Sequence, residues 1–122
     1  MEIEQTESGE VELWTPKEVR DAFDWDEIVL IDVRTPQEYS LERIKGALLA
    51  PMHLPGQSEK RIVLHCGSAV RSGKVAQQCL QSGIEKIAHM KGGFGAWKEA
   101  GLDYIGTDVS SGAPKMMNSK AT

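Results

Sequence analysis

The sequence has little cysteine, no excess of basic residues and no long apolar run. Two cysteines, Cys66 and Cys79, among 122 residues exclude a disulfide framework and favour a reducing, cytoplasmic location. Fourteen Lys and Arg against 18 Asp and Glu give a net charge of −4, which disfavours nucleic acid and anionic lipid as partners. The longest uncharged stretch, residues 46–58, contains two prolines and is shorter than the roughly 20 apolar residues of a membrane helix. Four glutamates and no Lys or Arg among the first ten residues are unlike the start of a secretory signal.

The length and composition predict one folded domain. Hydrophobic residues make up 40% of the chain, which is ordinary for a globular protein and sufficient for one core. We expect the domain to span residues 10–105, after a flexible segment at residues 1–9. Residues 106–122 are predicted to form a mobile tail, because their large apolar residues are only Val109, Met116 and Met117.

Apolar runs alternate with helical patterns along the domain, which is typical of an α/β fold with a mainly parallel sheet. The apolar runs predict five strands, at residues 10–14, 28–31, 47–50, 61–65 and 86–90. The helical patterns predict four helices, at residues 16–23, 36–41, 74–82 and 94–100. Thr15 and Thr35 are each followed by a proline and then by a glutamate, the pattern of a helix N-cap with a capping box. We expect helices on both faces of the sheet.

Cys66 is the candidate nucleophile, because it directly follows a predicted buried strand and precedes a predicted helix. The carboxyl ends of parallel strands form the usual ligand crevice, and a helix N-terminus supplies free N–H groups and a positive dipole end. Together with Arg71, these features predict a pKa of Cys66 below the free-thiol value of about 8.5, so that no general base is required. We expect Cys66 to be exposed in that crevice and Cys79 to pack in the core.

The residues after Cys66 are predicted to form a loop whose N–H groups turn toward the sulfur. Most of them are small, and bulky side chains would obstruct such an arrangement. The predicted substrate-binding residues are Gly67, Ser68, Ala69, Val70, Arg71 and Ser72.

Asp32 and Arg34 end the central strand beside the same crevice and are predicted to be supporting residues. We expect Arg34 to pair with Glu38, four positions later, and Asp32 to accept hydrogen bonds from nearby loop N–H groups. Both interactions would be structural.

The three histidines do not predict a metal site. His53, His65 and His89 lack the spacing of metal ligands and have no second cysteine nearby. His65 directly precedes Cys66 on a strand and is expected to point to the opposite face, where it would pack.

Three segments of the sequence resemble the rhodanese, or thiosulfate sulfurtransferase, family. They are Ile-Asp-Val-Arg at 31–34 with Glu38-Tyr39 and Ile-Lys-Gly-Ala at 44–47, Cys-Gly-Ser-Ala-Val-Arg-Ser at 66–72, and Gly-Gly-Phe-Gly-Ala-Trp at 92–97. Their order and separations span residues 10–104, nearly the whole predicted domain. One departure is Glu42-Arg43, where many relatives have Gly-His.

The resemblance implies a rhodanese-like three-layer domain and a sulfurtransferase. Cys66 would take a sulfane sulfur from a donor, hold it as a persulfide and pass it to a thiophilic acceptor, with no cofactor. The implied partners are a small donor, thiosulfate or a persulfide, and a thiol or cyanide acceptor, with a sulfur-relay protein as a further candidate.

Two alternatives to a sulfurtransferase remain. Four residues separate Cys66 from Arg71, one fewer than in protein tyrosine phosphatases, so a phosphatase or an arsenate reductase using the same thiolate is the enzymatic alternative. The other is a noncatalytic rhodanese module that binds a partner protein.

The charges near Cys66 predict which sulfur donor is preferred. Arg71 is the one certain cation of the loop, and thiosulfate is a dianion that has to approach a thiolate. We therefore expect weak affinity for thiosulfate and better turnover of a less charged persulfide.

Overall fold

The computed structural model describes residues 1–49, 60–67, 70–84 and 87–118. Its strands are β1 (Glu2–Thr6), β2 (Gly9–Trp14), β3 (Ile28–Asp32), β4 (Leu48–Leu49), β5 (Arg61–His65), β6 (Ile87–Met90), β7 (Asp103–Thr107) and β8 (Pro114–Asn118). Its helices are α1 (Pro16–Asp24), α2 (Pro36–Leu41), α3 (Val70–Gln81) and α4 (Gly93–Glu99). Within these residues, none of the helices has the length and apolar character needed to cross a bilayer.

The described strands form one large sheet and one hairpin. The large sheet has the order β1-β2-β6-β5-β3-β4, in which the neighbours from β2 to β4 run parallel and β1 is an antiparallel edge. β7 and β8 form a separate antiparallel pair. The prediction of an α/β fold with about five mainly parallel strands is therefore confirmed.

α1 and α2 begin at the residues that the sequence predicts. The hydroxyls of Thr15 and Thr35 accept the N–H groups of Glu18 and Glu38, and each glutamate accepts the N–H of its threonine in return. These capping boxes provide acceptors for N–H groups that have no partner within the helix. Local sequence alone thus sets where both helices start.

The large sheet carries an apolar core on each face. Alternation along β5 places Val63 in one core and Leu64 in the other. Val19 of α1 and Trp97 of α4 pack in the first core, and Ala76 of α3 packs in the second. Helices therefore cover both faces, as predicted.

Cys79 lies in the core on the α3 face, as predicted. It is only 6% exposed and shares that core with Ala76 and the partly buried Val75. Burial raises the pKa of its thiol, because the charged form loses its hydration. Cys79 is thus a packing residue rather than a second reactive thiol.

Strands lie near both ends of the chain, where the sequence predicts none. Residues 1–9 and 106–122, expected to be flexible and mobile, contain the paired strands β1 and β8. Their main chains find partners in the adjacent strands β2 and β7, which composition alone does not reveal. Met117 also packs against the first core. The domain boundaries at residues 10 and 105 stay a prediction, which limited proteolysis would test.

α3 begins earlier than the predicted residue 74. Its first turn starts at Val70 and includes Arg71 and Ser72, which the sequence analysis placed in a loop. Ser72 is the third residue of α3, in the first turn, where N–H groups need acceptors from outside the regular helical pattern. The sulfur of Cys66 accepts this N–H at 3.4 Å and so supports the early start.

Candidate active site

Cys66 lies at the carboxyl edge of the large sheet, directly after β5 and before α3. Its sulfur accepts the N–H of Ser72 at 3.4 Å, and its thiol donates to the Ser72 hydroxyl oxygen at 3.6 Å. Cys66 is 0% exposed, so the expectation of an exposed nucleophile is wrong. The sulfur sits against the first turn of α3, with polar partners already in place.

The start of α4 holds the backbone around Cys66 and contributes to its burial. The N–H groups of Phe94 and Gly95 donate to the carbonyls of Cys66 and Gly67, at 2.6 and 3.3 Å. This approach requires Gly93, whose φ is 64° and where a Cβ would overlap the Cys66 carbonyl oxygen and the Gly67 backbone. The cysteine is thus enclosed between β5, α3 and α4.

Arg71, the predicted cation of the site, forms an ion pair. Its guanidinium donates to both carboxylate oxygens of Glu38, at 2.8 and 3.2 Å. The hydrogen bond from Arg71 is the main reason why the pKa of Glu38 falls to about 2. The same pair raises the pKa of Arg71, to which the charge of Cys66 also contributes. The positive charge beside Cys66 is therefore partly offset by Glu38.

Asp32 and Arg34 form a buried ion pair with side chains 0% and 5% exposed and Nη2 to Oδ2 at 2.8 Å. Asp32 also accepts the N–H of Arg34 at 2.9 Å, and Arg34 donates to the carbonyl of Glu42. The predicted pair between Arg34 and Glu38 is wrong, because Arg34 precedes α2 and the helical spacing of four does not apply to it. The pair fixes the end of β3 beside the site.

Arg43, at the departure from the family pattern, joins the end of α2 to the hairpin. Its N–H and carbonyl exchange hydrogen bonds with Ile105 of β7, at 2.8 and 2.7 Å. The backbone of this position is therefore fixed without the histidine found in many relatives.

His65 packs on the face of β5 opposite to the α3 side. Its ring lies edge-on to Phe94, with ring centres 6.1 Å apart, and its Nε2 is 3.7 Å from Asp32. Burial lowers the pKa of His65 to about 4, although the charge of Asp32 acts in the opposite direction. His65 is therefore neutral at physiological pH.

Acidification should destabilise the protein through His65. The pKa of His65 is about 4 in the folded protein, against the ordinary histidine value of 6.5 that applies to the unfolded chain. Between these pH values the unfolded chain therefore binds a proton that the folded protein does not. Stability is therefore lost as the pH falls through that window. In His65→Leu, the free energy of unfolding in urea should decline less between pH 7 and pH 5 than in the unmodified protein. Equal declines would contradict this prediction.

Two site residues were missed in the sequence analysis. The spacing of four predicts Arg34 as the partner of Glu38, whereas Glu38 pairs with Arg71 at the sheet edge where Cys66 lies. His89 was considered only as a metal ligand, and its Nδ1 lies 3.1 Å from the Ser72 hydroxyl oxygen. The alternation of β6, with His89 two residues from the core residue Ile87, could have indicated its face.

Some of the predicted site lies outside the described residues. These are Ser68, Ala69 and the side chain of Val70. His53, which is not predicted to bind a metal, also lies outside the described residues. In the part of the chain that is described, no three His, Cys, Asp or Glu side chains form a group that could hold a metal ion. The predicted roles of the loop residues remain predictions.

A cavity of about 460 Å³ lies elsewhere, between α1, the end of α4 and the β7–β8 hairpin. Phe23, Trp97 and Met116 contribute to its wall, and none of the predicted site residues does. The chemistry of Cys66 is therefore separate from this cavity.

Comparison with known proteins covers most of the chain. The family described as Rhodanese-like domain matches residues 15–100. A protein of Synechocystis described as uncharacterized is 40% identical over an alignment of 98 positions, which covers 75% of this chain and 55% of that protein. A sulfurtransferase of Allochromatium vinosum is 31% identical over an alignment of 88 positions, which covers 67% of this chain and 82% of that protein. The chain thus spans about half the length of the first relative and most of the second.

A solved structure extends the likeness to three dimensions. A protein of Rhodopseudomonas palustris, described as a possible tyrosine phosphatase, has a TM-score of 0.66 and 26% identity. The likeness covers 75% of this chain and 83% of that one. Cys66, Arg71 and Glu38 all lie within the residues that match the family.

Proposed function

The chain belongs to the family of rhodanese-like domains, and on that premise we propose that it is a sulfurtransferase carrying a sulfane sulfur as a persulfide on Cys66. The observation that carries the proposal is the contact between the Cys66 sulfur and the N–H of Ser72 in the first turn of α3. A sulfur anion at that position is stabilised by the N–H group and by the positive end of the helix dipole. The sulfurtransferase among the relatives supports the same chemistry.

Sulfur transfer proceeds in two displacement steps. The Cys66 thiolate attacks the sulfane sulfur, the donor's S–S bond breaks, and the electron pair leaves with the rest of the donor, which is sulfite when the donor is thiosulfate. The acceptor then attacks the outer sulfur of the persulfide and restores the thiolate. Cyanide leaves as thiocyanate, and a thiolate acceptor leaves as a persulfide. Both steps balance without an external oxidant or reductant.

Intact mass measurement tests the proposal directly. After incubation with thiosulfate or a small-molecule persulfide, the reduced protein should gain the mass of one sulfur atom, and cyanide should remove it. A folded protein that gains no sulfur from either donor would contradict the assignment.

A phosphatase is the second candidate, because the structure from Rhodopseudomonas palustris is described in those terms. Four residues separate Cys66 from Arg71, one fewer than in protein tyrosine phosphatases. A shorter loop of N–H groups suits one sulfur atom better than a tetrahedral phosphoryl group. Hydrolysis of an aryl phosphate without sulfur uptake would favour the phosphatase, and arsenate-dependent thiol oxidation would favour an arsenate reductase. A partner-binding module would show none of these activities.

The Glu38–Arg71 pair supports a preference for weakly charged donors. The carboxylate of Glu38 already accepts hydrogen bonds from the guanidinium of Arg71, and Nη2 of Arg71 lies 3.3 Å from the position that a Cβ on Gly67 would take. A dianion such as thiosulfate would have to approach this carboxylate or displace it. A persulfide on a small thiol or on a relay protein meets less repulsion.

Glu38→Gln should improve the use of thiosulfate. The amide oxygen can still accept the Thr35 N–H, so the cap of α2 is kept while the negative charge beside Arg71 is removed. We expect KM for thiosulfate to fall roughly fivefold, which corresponds to about 1 kcal/mol for a half-exposed pair. Steady-state assays with cyanide as acceptor, using thiosulfate and a persulfide donor in parallel, measure the effect.

Glu18→Gln is the matched control for this substitution, because Glu18 forms the same capping box with Thr15 at the start of α1. Glu18→Gln should leave KM for thiosulfate and KM for the persulfide donor unchanged. Arg71→Ala should raise KM for thiosulfate. An unchanged thiosulfate KM in folded Glu38→Gln would show that Glu38 does not set the donor preference.

A further inference from the structure

A line of polar side chains leads away from Cys66 through the interior. The Cys66 sulfur is 3.6 Å from the Ser72 hydroxyl oxygen, which is 3.1 Å from Nδ1 of His89. On the other side of the ring, Nε2 of His89 is 3.5 Å from a carboxylate oxygen of Glu4. Cys66 and Ser72 are 0% exposed and His89 is 3% exposed, so solvent does not interrupt the line before Glu4.

The fold brings these four residues together from β1, α3, β6 and the position directly after β5. Alternation along β6 directs His89 toward α3, where Gly73 leaves room for the ring, since a Cβ there would lie 3.4 Å from the imidazole. The antiparallel pairing of β1 with β2 places Glu4 near the same ring. The line therefore depends on tertiary packing and on the β1 edge.

Two arrangements of hydrogen atoms are compatible with the contacts between Cys66, Ser72 and His89. In the first, the Cys66 thiol donates to Ser72, and the Ser72 hydroxyl donates to an unprotonated Nδ1 of His89. In the second, Nδ1 carries a proton and donates to Ser72, and the Ser72 hydroxyl donates to the thiolate. The second arrangement stabilises sulfur as an anion, and the first stabilises it as a thiol.

We propose that His89 is a positioning residue that, through Ser72, receives the proton which Cys66 loses. The S–H bond breaks as the proton passes to the Ser72 oxygen, and the original Ser72 O–H bond breaks as its proton passes to Nδ1 of His89. The products are a thiolate and an imidazolium whose Nε2–H faces the Glu4 carboxylate. The inference rests on Cys66 being the nucleophile of the proposed function and adds the acceptor of its proton.

The charged neighbours of His89 fit this role. Glu4 faces it from β1, Ser72 faces it from α3, and Cys66 lies beyond Ser72 at the end of β5. Its neighbours in register on the adjacent strands are Leu13 and Leu64, which do not titrate. The thiolate and the Glu4 carboxylate therefore both favour the imidazolium, and the imidazolium in turn favours the thiolate.

The test is the pH dependence of Cys66 alkylation by iodoacetamide, with the modified peptide read by mass spectrometry. In His89→Asn, whose amide can still bond to Ser72 but does not titrate, the inflection of the rate should move upward by about 1 pH unit. Glu4→Gln should move it in the same direction by less. The limiting rate at high pH reports access to the sulfur and should not change. An unshifted inflection in folded His89→Asn would overturn the proposal.

His65→Leu is the matched control, because it removes the other described buried histidine on the opposite face of the sheet. It should leave the alkylation inflection unchanged, whereas a general effect of losing a buried histidine would move it as well. A shift of equal size in His65→Leu would also overturn the proposal.

A measurement on the unmodified protein does not depend on how the variants fold. In ¹⁵N NMR spectra at pH 7, both ring nitrogens of His89 should be protonated while Cys66 is reduced, and one should lose its proton after Cys66 is alkylated. A His89 ring that stays neutral wherever Cys66 reacts would overturn the proposal. Both measurements are independent of sulfur uptake, so the proposed function can fail separately.

Discussion

Replacing Cys66 with serine should abolish sulfur uptake and sulfur transfer while the protein stays folded. A serine hydroxyl is not ionised at neutral pH and cannot form a persulfide, so no smaller effect is expected. The new hydroxyl oxygen can still accept the N–H of Ser72, and the stability loss should be about 1 kcal/mol. Intact mass after incubation with a donor and urea unfolding measure the two effects.

Cys79→Ser is the opposite case and the matched control. Its hydroxyl enters the apolar face of α3 beside Ala76, which should cost roughly 1 to 3 kcal/mol of stability if the hydroxyl finds no partner. Sulfur transfer by the folded fraction should be unchanged. Equal losses of activity in the two variants at matched folded fraction would refute the role of Cys66.

Removing one partner of the buried ion pair should have the largest effect on stability. In Arg34→Met the aliphatic stem is kept, and the Asp32 carboxylate remains at 0% exposure without its guanidinium. An uncompensated buried charge costs about 3 to 5 kcal/mol. The double variant Asp32→Asn with Arg34→Met should recover part of this loss, because no charge remains to be compensated. The free energies of unfolding in urea of the unmodified protein, Arg34→Met and the double variant measure these effects.

Lys91→Ala provides the reference for an exposed ion pair. Lys91 pairs with Glu2 at 3.0 Å, with side chains 54% and 61% exposed, and its loss should cost less than about 1 kcal/mol. A cost for Arg34→Met no greater than that for Lys91→Ala would show that the Asp32–Arg34 pair contributes little to the stability of the fold.

Local sequence signals predicted the parts of the fold that depend on few residues. The threonine, proline and glutamate at the start of α1 and α2 satisfy their own N–H groups, so these helix starts can be read without tertiary information. The apolar run of β5 followed by Cys66 likewise locates the candidate nucleophile, since a buried parallel strand ends where its ligands bind.

Interactions between distant residues could not be predicted in the same way. Arg71 lies 33 positions from Glu38, and Ser72 lies 17 positions from His89, so their pairing depends on how the sheet is assembled. The approach of α4 to the Cys66 backbone, which Gly93 permits, likewise depends on tertiary packing. The strands near the termini form because β2 and β7 offer main-chain partners, although these segments contain few apolar residues.

The hydrogen bonds from Phe94 and Gly95 support the backbone of the nucleophile without using any residue between Gly67 and Arg71. They attach the carbonyls of Cys66 and Gly67 to α4. An additional residue between Gly67 and Arg71 would therefore lengthen this segment, while the hydrogen bonds from α4 to the Cys66 and Gly67 carbonyls would remain. A scaffold built in this way can accommodate anions of different size by changing the number of residues in one loop, while the nucleophile keeps its place.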